Sequence, residues 1–240
     1  MSDLFDDAVA KIEAAYTGQG HQLGWRFLAT TRRTVAGDAE VAFLTLNPGG
    51  EEADPTNPSA SCEGGSAYLC EKWPIPGKAP RRYGPGEAPL QRQVQGMFEW
   101  LGRDPNTTLS AYFIPFRSRS LNELVAPNTA WPFAVSLWRG LFRAVQPELI
   151  VCLGEDVERG LRQVFEAEGG LPRTRAPYPV GWGSQTAWVT CYRERVLLRL
   201  PHLSRFKIFD RSESVATLSD LQRVVERRWE EAKQRRAGLA

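Results

Sequence analysis

The sequence predicts an α/β protein: a three-layer α/β/α sandwich with helices on both faces of a mostly parallel central sheet. Short apolar runs typical of buried strands alternate with segments whose apolar residues recur at helical spacing. The order is strand, helix, strand, helix, strand, helix, two strands and a last helix, which favours this architecture. A length of 240 residues fits one domain. We therefore expect a single domain over 1–240, with its core at about 40–210 and a helix at each end.

Composition and charge exclude several other classes of protein. Hydrophobic residues make up 42% and charged residues 24%, as in globular chains. No apolar stretch approaches the roughly 18 residues of a membrane span. The first 18 residues lack the basic start and apolar centre of a signal peptide. We expect a cytoplasmic protein that does not bind membranes.

Two strands are predicted in the first half of the chain. Apolar residues at helical spacing predict a helix over 3–16, and the apolar run over 40–46 predicts a buried strand. Residues 49–88 are rich in Gly, Pro and Ser and are too many for a simple connector, which indicates a functional loop region. A helix over 90–101 and a strand over 108–114 follow.

Three strands are predicted in the second half. A helix over 131–146, with Thr129 as its possible N-cap and Pro132 early in its first turn, leads to a strand over 148–154 and a helix over 155–169. Strands over 186–192 and 195–200 and a helix over 217–236 complete the chain. Ligands of such sheets bind beyond the carboxyl ends of the strands. The functional residues should therefore follow Leu46, Ile114, Leu153 and Leu200.

The usual cofactor and metal motifs are absent from the sequence. It contains no dinucleotide-binding fingerprint, phosphate-binding P-loop or nucleophile elbow. Its two histidines are too few for a His-rich metal site. Cys152 and Cys191 lie in apolar runs and are expected to be core residues, whereas a ligand role for Cys62 and Cys70 stays open but is not favoured. We expect no metal and no cofactor.

Two loops at predicted strand ends carry polar residues suited to ligand contact. Asn47-Pro48-Gly49-Gly50 offers an amide that donates and accepts, together with glycines that allow close backbone approach, although it could be only a tight turn. His202 is followed by Ser204, Arg205 and Lys207, which suits phosphate contact, although a solvated basic loop has the same composition. Net charge is +2, but residues 181–240 carry 12 basic and 7 acidic residues. This charge permits a polyanion partner without requiring one.

Together these loops resemble two motifs of the uracil-DNA glycosylase superfamily. Asn47-Pro48-Gly49 is similar to its first motif, and PHLSRF (201–206) looks like a variant of its His-Pro-Ser second motif. ELIVCLG (148–154) lies between them and is similar to a strand of that superfamily ending in Leu-Gly. The resemblance implies a monomeric, cofactor-independent enzyme. Such an enzyme flips uracil out of single- or double-stranded DNA and hydrolyses its N-glycosidic bond.

The resemblance also implies roles for individual residues. Asn47 matches the residue that orients the attacking water, and His202 matches the residue that stabilises negative charge on the departing base. Ser204 matches a serine that binds a DNA phosphate, and Phe206 a wedge that fills the gap in the stack. The other predicted substrate contacts are Leu46, Pro48, Gly49, Tyr68, Ser110 and Ala111. The other predicted DNA contacts are Arg205, Lys207 and Arg117, while Arg119 is an open case.

The sequence departs from the superfamily at the end of the second strand. An Asn that reads the uracil edge is expected there, but LSAYFIPF (109–116) offers Ser110, Ala111 or Tyr112, so readout could fall to Ser110 or Asn122. Trp73 is a second candidate for the stacking aromatic. Glu51, Glu52 and Asp54 are expected to be solvated acids rather than a catalytic base. The alternatives are a non-catalytic base- or nucleic-acid-binding protein of this fold, a glycosylase for another damaged base, and an unrelated enzyme of small phosphorylated molecules.

Overall fold

One mixed sheet organises the protein. A computed structural model describes residues 3–36, 39–50, 52–53, 59–78 and 80–238. In this part of the chain, the strands are β1 (Val41–Thr45), β2 (Leu109–Tyr112), β3 (Leu149–Leu153), β4 (Thr174–Pro179), β5 (Thr186–Cys191) and β6 (Val196–Leu200). The helices are α1 (Leu4–Gly18), α2 (Arg33–Ala36), α3 (Ala67–Cys70), α4 (Pro89–Trp100), α5 (Pro127–Val145), α6 (Glu155–Glu166) and α7 (Val215–Arg236). The strand order is β2-β1-β3-β6-β5-β4.

The sheet is parallel on one side and antiparallel on the other. Strands β2, β1, β3 and β6 are mutually parallel. Strand β5 pairs antiparallel with β6, and β4 pairs antiparallel with β5. The prediction of a mostly parallel sheet therefore holds for four of the six described strands. Residues 192–195 are too few for the crossover that parallel strands need, so β6 must return antiparallel to β5.

The sequence did not predict β4. Its residues TRAPYP include Pro177 and Pro179, which argue against a central strand, and its side chains are mostly exposed. The strand lies at the edge of the sheet and pairs only with β5 among the described strands. A proline there does not interrupt a second ladder, since no described strand pairs on its other side.

Helices cover both faces of the sheet. Buried side chains of α1, α5 and α6, including Ile12 and Trp138, pack on one face. Those of α4 and α7, including Phe98 and Trp229, pack on the other. Strands β1 and β3 lie between these layers and are buried at every position, which explains their continuous apolar sequences. The prediction that Cys152 and Cys191 are core residues is confirmed, because both are buried.

The predicted start of α5 was wrong. The helix begins at Pro127 rather than at residue 131, and Pro127 occupies a first-turn position where no backbone N–H is required. Thr129 is therefore inside the first turn, where its hydroxyl donates to the carbonyl of Ala126 at 3.0 Å. Pro132 lies inside the helix. Either proline could open the helix, and the sequence interpretation chose the second.

None of the helices in the described part of the chain is both long enough and apolar enough to cross a bilayer.

Candidate functional site

Asn47 and His202 both lie beyond the carboxyl ends of parallel strands, on the same end of the sheet. Asn47 follows β1 and His202 follows β6, and these strands are parallel with β3 between them. Neighbouring strands are about 4.8 Å apart, so the two strand ends are separated by roughly 10 Å. The intervening strand β3 ends at Leu153, and Gly154 follows it. Apart from its chain neighbours, no described atom lies within 4 Å of where a Cβ of Gly154 would be. The two loops therefore lie on either side of the end of β3, where the position of Gly154 is unobstructed.

The side chain of Asn47 is anchored to the loop that follows β2. Its Nδ2 donates to the carbonyl oxygen and to Oγ of Ser118, each at 2.9 Å. The backbone N–H of Ser118 donates back to the carbonyl of Pro48 at 3.2 Å. Ser118 is buried, and its Oγ donates to the carbonyl of Ser120. The orientation of the Asn47 amide is therefore fixed by a residue 71 positions away, one that the sequence did not single out.

Gly50 lets the guanidinium of Arg117 approach the same loop. The backbone of Gly50 has φ +133°, in the region that favours glycine, and a Cβ there would lie 2.6 Å from Arg117 Nε. Arg117 is half-buried rather than a solvated loop arginine, and its backbone N–H donates to the carbonyl of Gly24. Among the other predicted contacts, Leu46 is half-buried, Pro48 is buried, and Gly49 and Arg119 are exposed.

The loop that follows β6, residues 201–207 and here called the His202 loop, is held mainly by hydrogen bonds within itself. The carbonyl of His202 accepts from the N–H groups of Arg205 at 2.9 Å and Phe206 at 3.1 Å. Its Nδ1 accepts from the N–H of Ser204 at 3.4 Å and pairs with the Ser204 hydroxyl at 2.8 Å. A backbone N–H can only donate, so Nδ1 is the acceptor and the neutral ring carries its proton on Nε2.

The His202 ring is biased towards its neutral form. Burial, followed by the positive charge of Arg205, lowers the pKa of His202 below its ordinary value of 6.5. At neutral pH the ring is therefore an uncharged donor through Nε2. Ser204, Arg205 and Lys207 are exposed around it, as the predicted DNA contacts require.

Phe206 packs beside an aromatic residue from the β4–β5 connection. Its ring meets Trp182 edge to face, with centroids 6.2 Å apart, and both residues are half-buried. The guanidinium of Arg211 lies 4.8 Å from the centre of the Trp182 ring. The proposed wedge is thus supported by a hairpin that the sequence did not predict, because its β4 strand was missed.

Ser110 and Ala111 do not reach the carboxyl ends of the strands, where Asn47 and His202 lie. Both are buried inside β2, paired with Phe43 and Leu44 in the middle of β1. Direct contact with a substrate does not fit this position. The residue at the end of β2 is Tyr112, which the sequence offered as one of three possibilities. The other candidate, Asn122, is exposed in the short helical turn Leu121–Glu123.

Tyr68 is a core residue in this conformation. It is 1% exposed and packs edge to face against Phe43 and Trp73. Burial raises the pKa of its phenol well above the ordinary value. Stacking on a base would require its ring to become accessible, so that role stays a prediction. Trp73, the second candidate, is half-buried and donates to Glu71 at 2.9 Å.

An ion pair that the sequence did not reveal lies close to Tyr112. Arg26 donates to both carboxylate oxygens of Glu71, one of them at 2.9 Å. Burial favours protonation of Glu71, but the hydrogen bond and charge of Arg26 outweigh it and hold the pKa of the carboxyl below its ordinary value. Both charges also act on the pKa of Tyr112, which burial raises. Arg26 and Glu71 lie in irregular segments 45 residues apart, so no local pattern connects them.

Other features of the described chain bear on the site. Glu52 is exposed, whereas Glu51 and Asp54 lie outside the described residues. The described part of the chain brings together no group of three or more side chains that could hold a metal ion. Two open surface pockets have volumes of about 500 and 440 Å³. The first is lined by residues such as Thr31 and Asn106, and the second by residues such as Trp131 and Gln163. Neither pocket includes Asn47 or His202, so a common pocket for these two residues stays a prediction.

Comparison with known proteins assigns no family to the chain. No family model matches the sequence, and a search of curated proteins finds no match either.

Proposed function

We propose that this protein is a DNA glycosylase that flips uracil out of DNA and hydrolyses its N-glycosidic bond. The observation that carries the proposal is the placement of Asn47 and His202 at one end of the sheet, on either side of β3. A nucleobase bound above the end of β3 would have an amide on one side and an imidazole donor on the other. No metal or cofactor takes part in the proposed reaction, and we expect a monomer acting in the cytoplasm.

Asn47 would orient the water that attacks the sugar. Its Nδ2 donates within the protein, to Ser118 and to the carbonyl of Pro48, so Oδ1 is the atom that can accept a hydrogen bond from a water. An amide is too weakly basic to deprotonate that water in the ground state. Asn47 therefore aligns the nucleophile, and much of the rate acceleration must come from stabilising the departing base.

His202 would provide that stabilisation. As the bond to the sugar breaks, negative charge develops on the uracil, including its O2. A fixed Nε2–H donor aimed at this oxygen contributes on the order of 3 kcal/mol, or 10²–10³ in rate. The hydrogen bonds from Ser204 to Nδ1 support this role, since they fix the tautomer before the base arrives.

The residues around His202 would hold the DNA strand. Ser204, Arg205 and Lys207 are exposed and could contact phosphates, while Arg117 lies beside the Asn47 loop. Phe206 would fill the space left by the flipped nucleotide, and Trp182 packs edge to face against the Phe206 ring. A wedge is needed most when a nucleotide is flipped out of a base-paired stack, so this arrangement suits duplex DNA.

Tyr112 favours a second candidate function on the same fold. The expected uracil-reading amide is missing, and Tyr112 stands at the end of β2. Its side chain is buried, and once accessible its phenol would offer one hydroxyl in place of an adjacent donor and acceptor. Recognition of the uracil edge would be weaker for that reason. The protein would then remove another damaged base, or bind nucleic acid without cleaving it.

A base-release assay distinguishes these functions. Oligonucleotides carrying uracil, a thymine mismatch, hypoxanthine or an oxidised base are tested as single strands and duplexes, and abasic sites are revealed by cleavage with alkali. We expect release of uracil by the native protein and its loss in the His202→Ala variant. The variant serves as the control for a contaminating glycosylase.

Each alternative predicts a different result. Release of a different base alone would support the role of Tyr112 in changing specificity. DNA binding without release of any base would identify a non-catalytic protein. Absence of DNA binding even at low salt, where phosphate contacts are strongest, would support an enzyme of small phosphorylated molecules.

A further inference from the structure

Cys62 and Cys70 form a close thiol pair beside the ion pair of Arg26 and Glu71. Their sulfur atoms are 3.6 Å apart, and both are free thiols. Cys70 is the last residue of α3 and is exposed, whereas Cys62 is half-buried in the preceding loop. A disulfide needs sulfurs about 2.05 Å apart, so the two sulfurs must approach by roughly 1.5 Å for the bond to form.

Backbone hydrogen bonds hold both cysteines in place. The N–H of Cys62 donates to the carbonyl of Thr30 at 2.9 Å, and that of Cys70 to the carbonyl of Ser66 at 3.0 Å. The segment between them is fixed as well, since Asn106 accepts from the N–H of Ser66 at 2.9 Å. The fold therefore fixes the backbone positions from which the two sulfurs approach each other.

We propose that Cys62 and Cys70 are a redox modification site. They form a reversible intramolecular disulfide with each other when a low-molecular-weight disulfide, such as oxidised glutathione, oxidises them. The thiolate of Cys70 attacks one glutathione sulfur, the S–S bond of glutathione breaks, and one glutathione thiolate leaves and takes up a proton. The sulfur of Cys62 then loses its proton and attacks the sulfur of Cys70, and the second glutathione leaves. Two protein thiols are oxidised as one glutathione disulfide is reduced to two thiols.

The environments of the two thiols set the order of these steps. Burial, with a hydrogen bond that the Cys62 thiol donates to Cys70 and the negative charge of Glu71, raises the pKa of Cys62 to about 12. Cys62 is therefore almost entirely protonated at neutral pH and is a poor first nucleophile. The exposed Cys70 reacts first, and Cys62 reacts only because the mixed disulfide forms next to it.

The disulfide would restrain a segment that contributes to the candidate site. It would connect the loop at Cys62 to α3, which carries Tyr68 and is followed directly by Glu71. Glu71 is the ion-pair partner of Arg26. The proposal does not depend on the proposed enzymatic function, because its test measures thiol chemistry alone.

The test treats the native full-length protein with oxidised glutathione and locates the products by mass spectrometry of its peptides. The native protein should lose two thiols and form a Cys62–Cys70 bond that dithiothreitol reverses. Cys62→Ser should stop at a stable glutathione adduct on Cys70. Cys70→Ser should react at Cys62 roughly tenfold or more slowly.

Buried Cys152 and Cys191 are the internal controls, since neither should react until the protein is unfolded. A stable glutathione adduct on Cys70 of the native protein would overturn the proposal. So would native protein in which Cys62 and Cys70 stay reduced while all four thiols react after unfolding.

Discussion

The two loops that flank the end of β3 are held in different ways. The Asn47 loop is fixed from outside: Ser118 contacts Asn47 and Pro48, and Arg117 lies against Gly50. The His202 loop is fixed largely from within, by hydrogen bonds from Ser204, Arg205 and Phe206. The first geometry therefore depends on the correct pairing of β1 with β2, whereas the second is encoded mostly by adjacent residues.

The difference teaches where each loop is vulnerable. A change at a distant residue can misorient Asn47 without altering the Asn47 loop itself. His202 should respond chiefly to changes within residues 202–206. Matched substitutions in the two loops test this contrast.

The largest effect is expected for His202→Ala. Loss of the Nε2–H donor should reduce single-turnover base release by about 10²–10³ and change DNA affinity only a few-fold. Ser204→Ala is the matched variant: it keeps the ring and the backbone N–H that contacts Nδ1, so its rate should fall much less. Equal losses in rate and affinity for His202→Ala would argue against a role in stabilising the departing base.

Gly50→Ala should destabilise the protein, because an alanine is strained at φ +133° and its Cβ would meet Arg117. We expect a loss of about 1–3 kcal/mol in the free energy of unfolding. This corresponds to a fall in Tm of roughly 2–4 °C per kcal/mol for a chain of this size. Gly49→Ala is the control, since Gly49 is exposed and no described atom lies within 4 Å of its Cβ position. Equal melting temperatures for the two variants, measured by calorimetry, would show that the Asn47 loop is not tightly fixed.

Ser118→Ala removes one of the three acceptors of Asn47 Nδ2 and keeps the backbone carbonyls of Ser118 and Pro48. Loss of one such hydrogen bond is worth about 1 kcal/mol, so base release should slow by roughly fivefold. The control is Ser120→Ala, because the Ser120 side chain contacts Glu123 and not Asn47. If the two variants were equally active in single-turnover kinetics, anchoring of the amide would not matter for the reaction.

The smallest effect is a change in pH dependence. The pKa of His202 lies below 6.5, so the neutral donor persists until the pH falls through that lowered value, and the acid limb of the rate profile should lie below pH 6.5. Arg205→Ala removes a positive charge that opposes protonation, which should move the acid limb towards pH 6.5.

Lys207→Ala is the control for this shift. It also removes a positive charge from the same exposed loop, but Lys207 is not among the groups that lower the pKa of His202. Single-turnover rates at saturating protein concentration separate the titration from any loss of DNA affinity. An acid limb that stays in place in Arg205→Ala, or moves equally in both variants, would contradict the electrostatic argument.

The sequence by itself located the buried strands β1, β3 and β6 and, to within one residue, where they end. Their sequences are almost entirely apolar, because a strand buried on both faces seldom accommodates polar side chains. The residues that follow these runs, Asn47 and His202, could therefore be chosen as site candidates. The intrinsic hydrogen bonds of the His202 loop are also local, since they join residues at most four positions apart.

Only the tertiary structure decided which distant groups meet. The Asn47–Ser118 and Arg26–Glu71 contacts join residues 71 and 45 positions apart. The burial of Ser110 and Tyr68, and the tolerance of two prolines in β4, depend on which elements are neighbours. Hydrophobic periodicity records the side of an element that is buried, but it carries no information about the partner that covers it. Strand order and loop packing supply that information, and they arise from contacts across the whole chain.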